Sequence, residues 1–274
     1  MTLQGQADGS AFDRPQRHGV WRQNERHDGM HNEAALANDL PQRASGEATA
    51  PTARTRRWDR LAAGLGIVFV ALQLGLGAVL GGAPALDAPA AEIQSYLVDD
   101  GTNVLVAATM VTLSAFFFIV FLGTMRTFLR TAEGAPGSLS TVAFGAGLVT
   151  ITLATTAALP TVALAWDDTA ALADTGLVQA AWNLNTLALV PIGSSAGAFC
   201  LAAAVIILRT RVTPAWVGWI GVLAGVVSVI ATFFLVADDP DSVLGTPANL
   251  GGFLLAMLFI LLLSIFMTIR LGQD

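Results

Sequence analysis

Lysine is absent from the chain: all fourteen basic residues are arginine. That is the mark of a GC-rich coding bias more than of a mechanism. The single cysteine, Cys200, stands inside an apolar block, so no intrachain disulfide can form and cysteine usage does not reveal the compartment. Histidine stops at His31, which excludes a haem held by two membrane histidines. Charged residues make up only 12% of the chain, against about 25% in a soluble domain. The net charge of −6 sits as acids in short loops and is no footprint of nucleic-acid binding. Recognisable chemistry is also missing. There is no Ser–His–Asp set, no HExxH, no phosphate-cradling glycine loop and no membrane-depth aspartate pair. Neither a catalytic residue, nor a metal ligand, nor a cofactor site is therefore assigned.

What the chain does have is apolar length. Hydrophobic residues are 54% of its 274, and they fall into blocks. Each block has the roughly 20 residues needed to cross about 30 Å of hydrocarbon at about 1.5 Å per residue. The sequence predicts an all-α polytopic bundle with six spans, at 61–82, 104–125, 141–166, 187–208, 217–237 and 253–269. The loops alternate in charge. Arg126 and Arg130 follow the second span, Arg209 and Arg211 the fourth, and Arg270 the sixth. The other loops have no arginine and hold Asp87, Glu92, Asp99 and Asp100, then Asp167, Asp168 and Asp174, then Asp238, Asp239 and Asp241. By the positive-inside rule both termini are cytoplasmic and the acidic loops face out. Those outer acids are expected to serve topology, not to hold a cation. No Asp, Glu, Arg or His lies within a span as drawn, which argues against a proton pump or proton-coupled carrier.

Residues 1–60 read as a disordered cytoplasmic tail, and 61–271 as the membrane domain. The tail has nine arginines, eight acids and all three histidines, with almost no apolar periodicity. His18, His27 and His31 match no compact metal site. The first apolar block starts at Leu61, too late for a signal peptide. In the first outer loop, Asp87 is placed to cap a short surface helix whose Ile93, Tyr96 and Leu97 share a face, with Tyr96 at headgroup level. Trp166 and Trp182 bracket the second outer loop as interfacial aromatics. Helix from Gly176 to Leu208 is too long for an upright span, so it bends at Pro191 or starts outside the membrane. Ser140 is placed to cap the third span.

Two patterns suggest how the spans meet. Literal GxxxG pairs occur at Gly77/Gly81, Gly193/Gly197 and Gly221/Gly225, where small faces let backbones approach. The sixth span, FLLAMLFILLLSIFM, is bulky all round and is expected on the lipid-facing periphery. The second pattern joins the third and fourth spans. Pro160 removes a backbone bond to Thr156, and Thr152, Thr155, Thr156, Pro160, Pro191 and Ser194 form a candidate polar cavity. The competing reading is a locally satisfied kink with threonines bonded to their own helix.

The segments AEIQSYL, FLGTMRTFLR with EGAPGSLSTVAFGAG, and RTRVTPAWVGWIG resemble uncharacterised six-span membrane proteins of GC-rich bacteria, over residues 61 to 270. The resemblance implies a fold and a place in the bacterial plasma (inner) membrane, and no activity. The function expected is a non-enzymatic structural or accessory component. It would meet the lipid bilayer, and bind other membrane proteins or its own copies through its seams or tail. The alternative is a carrier or channel for a small neutral or weakly polar solute.

Overall fold

The computed structural model describes residues 53–85, 88–233 and 245–273. Among them are nine α-helices and no strand: α1 (Ala53–Val79), α2 (Ala90–Asp99), α3 (Gly101–Glu133), α4 (Ser138–Ala157), α5 (Leu159–Ala165), α6 (Thr169–Leu172), α7 (Thr175–Thr210), α8 (Ala215–Phe233) and α9 (Gly245–Arg270). A 3₁₀ turn, Trp166–Asp168, joins α5 to α6. Six segments are long and apolar enough to cross a membrane: Arg57–Val79, Gly101–Glu133, Ser138–Ala165, Thr175–Thr210, Ala215–Phe233 and Leu250–Arg270. Their number and order are those expected from the sequence. The chain is a multi-pass membrane protein.

The helix starts lie further out than hydropathy alone places them. α1 begins at Ala53, so the arginines from 54 to 60, read above as the end of the tail, belong to its first two turns. The rest of the tail, Asp87 and the Asp238–Asp241 group lie outside the described residues. α3 has 33 residues and α7 has 36. At about 1.5 Å per residue each is about 50 Å long and must project beyond about 30 Å of hydrocarbon.

The spans form a ring. α1 packs on α3, α3 on α4, α4 on α7, α7 on α8 and α8 on α9, and α9 returns to α1. The arginine loops gather at one end; a Cβ placed on Gly272 would lie 3.0 Å from Arg60 Cζ. The ring is solid at its middle. Phe69 of α1 stacks on Phe118 of α3 with centroids 4.3 Å apart. Phe118 meets Phe199 of α7 edge-on at 5.9 Å, and Phe199 meets Phe259 of α9 at 6.4 Å. All four rings are buried. Such pairs add about 0.5–1.5 kcal/mol each beyond their area.

Glycine decides two of the three closest helix pairings that the GxxxG pairs suggested. A Cβ on Gly197 would sit 2.6 Å from Val229 Cγ2 and 3.0 Å from the Gly225 carbonyl oxygen. One on Gly193 would sit 3.0 Å from the Ser228 carbonyl oxygen, and one on Gly221 would sit 2.6 Å from Phe259 Cε2. Gly77 has nothing within 4 Å, and Gly81 meets only its own helix. Close approaches also occur at Gly66, against Phe121 and Ser264, and at Gly147, against Leu122; neither belongs to a GxxxG pair.

The sixth span corrects the peripheral reading. Phe259, Leu263 and Met267, four residues apart, are fully buried on one face of α9. Ser264 Oγ donates to the Ala63 carbonyl oxygen and closes the ring on α1. A bulky helix packs tightly where its neighbour supplies the small residue, and here Gly221 and Gly66 do so.

The loop between α3 and α4 has a cap that sequence spacing hid. α4 starts at Ser138, and both Glu133 carboxylate oxygens accept from its first turn, from Leu139 N and Ser140 N at 2.9 Å each. Ser140 Oγ instead donates to the Gly137 carbonyl at 2.9 Å. Glu133→Ala is expected to cost about 1 kcal/mol, the typical value of a lost N-cap. Glu133→Gln, which keeps one acceptor, should cost less. Unfolding midpoints in detergent check the order; an unchanged midpoint for Glu133→Ala would remove the capping role.

Candidate functional site

The end opposite the arginines has a small core of its own. Ile93 and Leu97 of α2 are buried against Val104, Leu164, Ala165, Ala170 and Val178. α2 is tied down by Gln94, whose Nε2 donates to the carbonyls of Ala170 at 2.7 Å and Ala173 at 3.1 Å. Asp174 caps α7 by accepting from Gly176 N and Leu177 N at 2.6 and 3.1 Å. α2, α5, α6 and the first turns of α7 thus make a fixed layer over the bundle. Asp167, at φ 52°, turns the chain within it.

Pro160 explains α5. It cannot donate to the Thr156 carbonyl, so the helix breaks at Ala158 and restarts with Pro160 in its first turn, where no N–H is needed. Pro191, in contrast, stays inside an unbroken α7. The nearby hydroxyls turn back to the backbone. Thr152 donates to the Leu148 carbonyl, Thr155 to Ile151 and Thr152, and Thr156 to Thr152, at 2.8 to 3.0 Å. Ser194 donates to the Pro191 carbonyl at 3.0 Å. Thr152, Thr156, Pro191 and Ser194 are exposed on the bundle surface. None of the six residues picked out from the sequence lines the cavity described next.

That cavity lies at the acidic end, between α1, α2, α3, α4, α5 and α7, with a volume of about 260 Å³. Most of its wall is aliphatic, including Leu76, Val104, Ala107, Val111 and Ala157. Its polar side is Tyr96, Thr161, Trp182 and Asn185, and among the described residues no charged side chain lines it. Asn185 Nδ2 donates to Thr161 Oγ1 at 3.2 Å, and Thr161 donates to the Ala158 carbonyl at 2.9 Å. Tyr96 packs edge-on against Trp182 at 6.3 Å, turned inward and not to headgroup level. Its hydroxyl is buried and has no hydrogen-bond partner. Burial, and then the charge of Asp100, push the phenol above the ordinary tyrosine range, so at neutral pH it is an uncharged donor.

Deeper in the bundle than the cavity, the packing is aromatic. Phe69 lies seven residues before Leu76 and Phe118 seven after Val111, on the same helix faces two turns deeper. Their stack fills the bundle between the cavity and the arginine end. The space lies on the acidic side of that stack. Its size, room for about nine waters at about 30 Å³ each, is just below the about 300–1,000 Å³ of drug-sized ligand sites.

Thr161 and Asn185 were missed because each sits outside a drawn polar pattern. Thr161 follows the proline, and Asn185 precedes the drawn start of the fourth span. The available signal was the asparagine itself, a costly group beside a run of leucines. Trp182 was read as interfacial; Trp166, 65% exposed, is the one at the surface. Thr150 and Ser195 were also unflagged, and their hydroxyls bond at 2.9 Å across α4 and α7. Among the described residues no three His, Cys, Asp or Glu side chains come together, and Cys200 is packed in the core. No family model matches the chain, and no match was found among curated proteins or solved structures.

Proposed function

We propose that this is a bacterial plasma-membrane protein that takes up a small, neutral, mainly apolar solute from its outer side. The observation that carries the reading is the buried, unpartnered Tyr96 hydroxyl in the wall of a mainly aliphatic pocket. Leaving such a group unsatisfied costs about 1–3 kcal/mol. A solute with one acceptor offsets that cost and fills the apolar volume. The uncharged lining selects against ions, because a charge without a partner in low dielectric is strongly disfavoured. The arginine end is assigned to the cytoplasm by the loop charges, which opens the pocket side outward.

The test uses the full chain in detergent and in cells. Indole, benzyl alcohol and pentanamide should bind saturably, as read by tryptophan fluorescence and thermal shift, and benzoate should not. Ala157→Phe or Ala108→Leu fills the pocket and should abolish binding. Saturable binding that survives both changes, or no binding by any probe, overturns the solute reading. For orientation, a membrane-impermeant maleimide on intact cells should label Asp174→Cys and spare Ser138→Cys; the reverse pattern inverts the map. Cys200 is fully buried and adds no background.

The accessory reading is favoured by one observation. Gly77 of α1 and Gly81 just past its end are exposed, and among the described residues no other helix comes within 4 Å of a Cβ added at either. Such a face suits a further helix, from a partner or a second copy.

A further inference from the structure

We propose that the arginine end holds the anionic headgroup of a glycerophospholipid in a groove along the last turns of α3. The groove has a volume of about 430 Å³ and is lined by Arg126, Thr127, Arg130, Thr131 and Gly134. The two arginines are four residues apart, as are the two threonines, so one helix face presents both pairs.

The arginines are positioned but not neutralised. Arg126 lies over the Phe144 ring of α4, with Cζ 5.4 Å from the centroid. That contact fixes its planar head without pairing its charge. Its Nε is buried and donates to nothing. Arg130 runs along the loop, where a Cβ on Gly137 would meet its Cγ at 3.1 Å and its Nε at 3.3 Å. Neither guanidinium has an ion-pair partner among the described residues. The acid nearest in sequence, Glu133, is engaged with Leu139 N and Ser140 N and faces the charge of Arg209.

Two guanidinium forks without acids match a phosphate, which accepts bidentate N–H bonds. The threonines refine the choice. Thr127 Oγ1 donates to the Gly123 carbonyl at 3.2 Å, and Thr131 Oγ1 to the Thr127 carbonyl at 2.9 Å. In this arrangement the hydroxyl oxygens present their lone pairs to the groove as acceptors. The matching ligand is a phosphodiester whose far side carries hydroxyl donors, as a glycerol headgroup does. The acyl chains of that lipid lie along α3, which α3 itself provides by running from the hydrocarbon to this level.

Full-length protein in detergent is offered an equal mixture of phosphatidylglycerol, phosphatidic acid and phosphatidylcholine of one chain length. Lipid retained after washing is counted by native mass spectrometry. Phosphatidylglycerol should be retained at least tenfold over phosphatidylcholine. Arg126→Gln and the exposed Arg130→Gln should each remove that preference, and Arg270→Gln should leave it. Thr127→Val with Thr131→Val should bring phosphatidylglycerol down to the level of phosphatidic acid. Equal retention of phosphatidylglycerol and phosphatidylcholine overturns the site, as does a preference that survives both α3 arginine variants. Excess glycerol 3-phosphate should not displace the lipid; full displacement would assign the groove to a soluble phosphate ester and overturn the lipid assignment.

Discussion

Tyr96→Phe is expected to stabilise the solute-free protein and weaken its binding of solute. The change removes a buried hydroxyl that has no partner and leaves the ring against Trp182 in place. An unsatisfied buried hydroxyl costs about 1–3 kcal/mol. In a chain of this size about 1 kcal/mol corresponds to roughly 2–4 °C in midpoint. A rise of several degrees is therefore the expected result for the empty protein. Binding should fall by roughly 2- to 10-fold, the equivalent of one lost hydrogen bond of about 0.5–1.5 kcal/mol. The opposite signs matter, because a purely structural tyrosine does not combine them. A lowered midpoint with unchanged binding would show that the hydroxyl is satisfied within the protein and that the pocket does not use it.

The second large effect is at the α7–α8 seam. Gly197→Ala places a methyl group 3.0 Å from the Gly225 carbonyl oxygen, a backbone atom that cannot rotate away. Gly225→Ala meets the Gly197 carbonyl at the same distance and Leu201 Cγ at 2.5 Å. Overpacking typically costs about 1–3 kcal/mol, and contact with backbone on both helices puts these variants at the upper end. Leucine at either position should prevent assembly. Gly77→Ala is the control, since nothing lies within 4 Å of its added carbon. It should be neutral or stabilising by about 0.5–1 kcal/mol, the helix preference of alanine over glycine. Detergent-resistant folding and thermal midpoints separate the three. Equal losses at Gly77 and Gly197 would sink the seam assignment. Gly77→Leu also tests the accessory reading: it should leave the fold intact and dissolve any association made through α1.

The spans and their order were legible because two independent physical signals agree on them. One is the match of about 20 apolar residues to about 30 Å of hydrocarbon. The other is the confinement of Arg126, Arg130, Arg209, Arg211 and Arg270 to alternate loops. Which faces meet was only partly legible. Gly193, Gly197, Gly221 and Gly225 carry close approaches, whereas Gly77 does not, although the pattern is the same. A GxxxG pair states what one helix permits; contact also needs a partner, which no single segment contains. The same limit hid α9, whose burial depends on Gly221 and Gly66 on its two neighbours. The pocket was harder still. Tyr96, Thr161 and Asn185 come from three elements separated by loops, and no spacing rule links them. Glu133 was hidden because its cap crosses a turn, from the end of one span to the start of the next.

The closed ring has a consequence for how the protein is made. Five of its six interfaces join consecutive spans and can form as each new helix enters the bilayer. The α1–α9 interface joins the first span to emerge with the last. Until α9 arrives, Gly66 lacks Ser264 beside it, and Gly221 lacks the ring of Phe259. A nascent chain five spans long thus has two unfinished flanks, on α1 and on α8. One insertion event completes both, so a translating ribosome that stalls before residue 250 leaves a bundle open on its two sides at once.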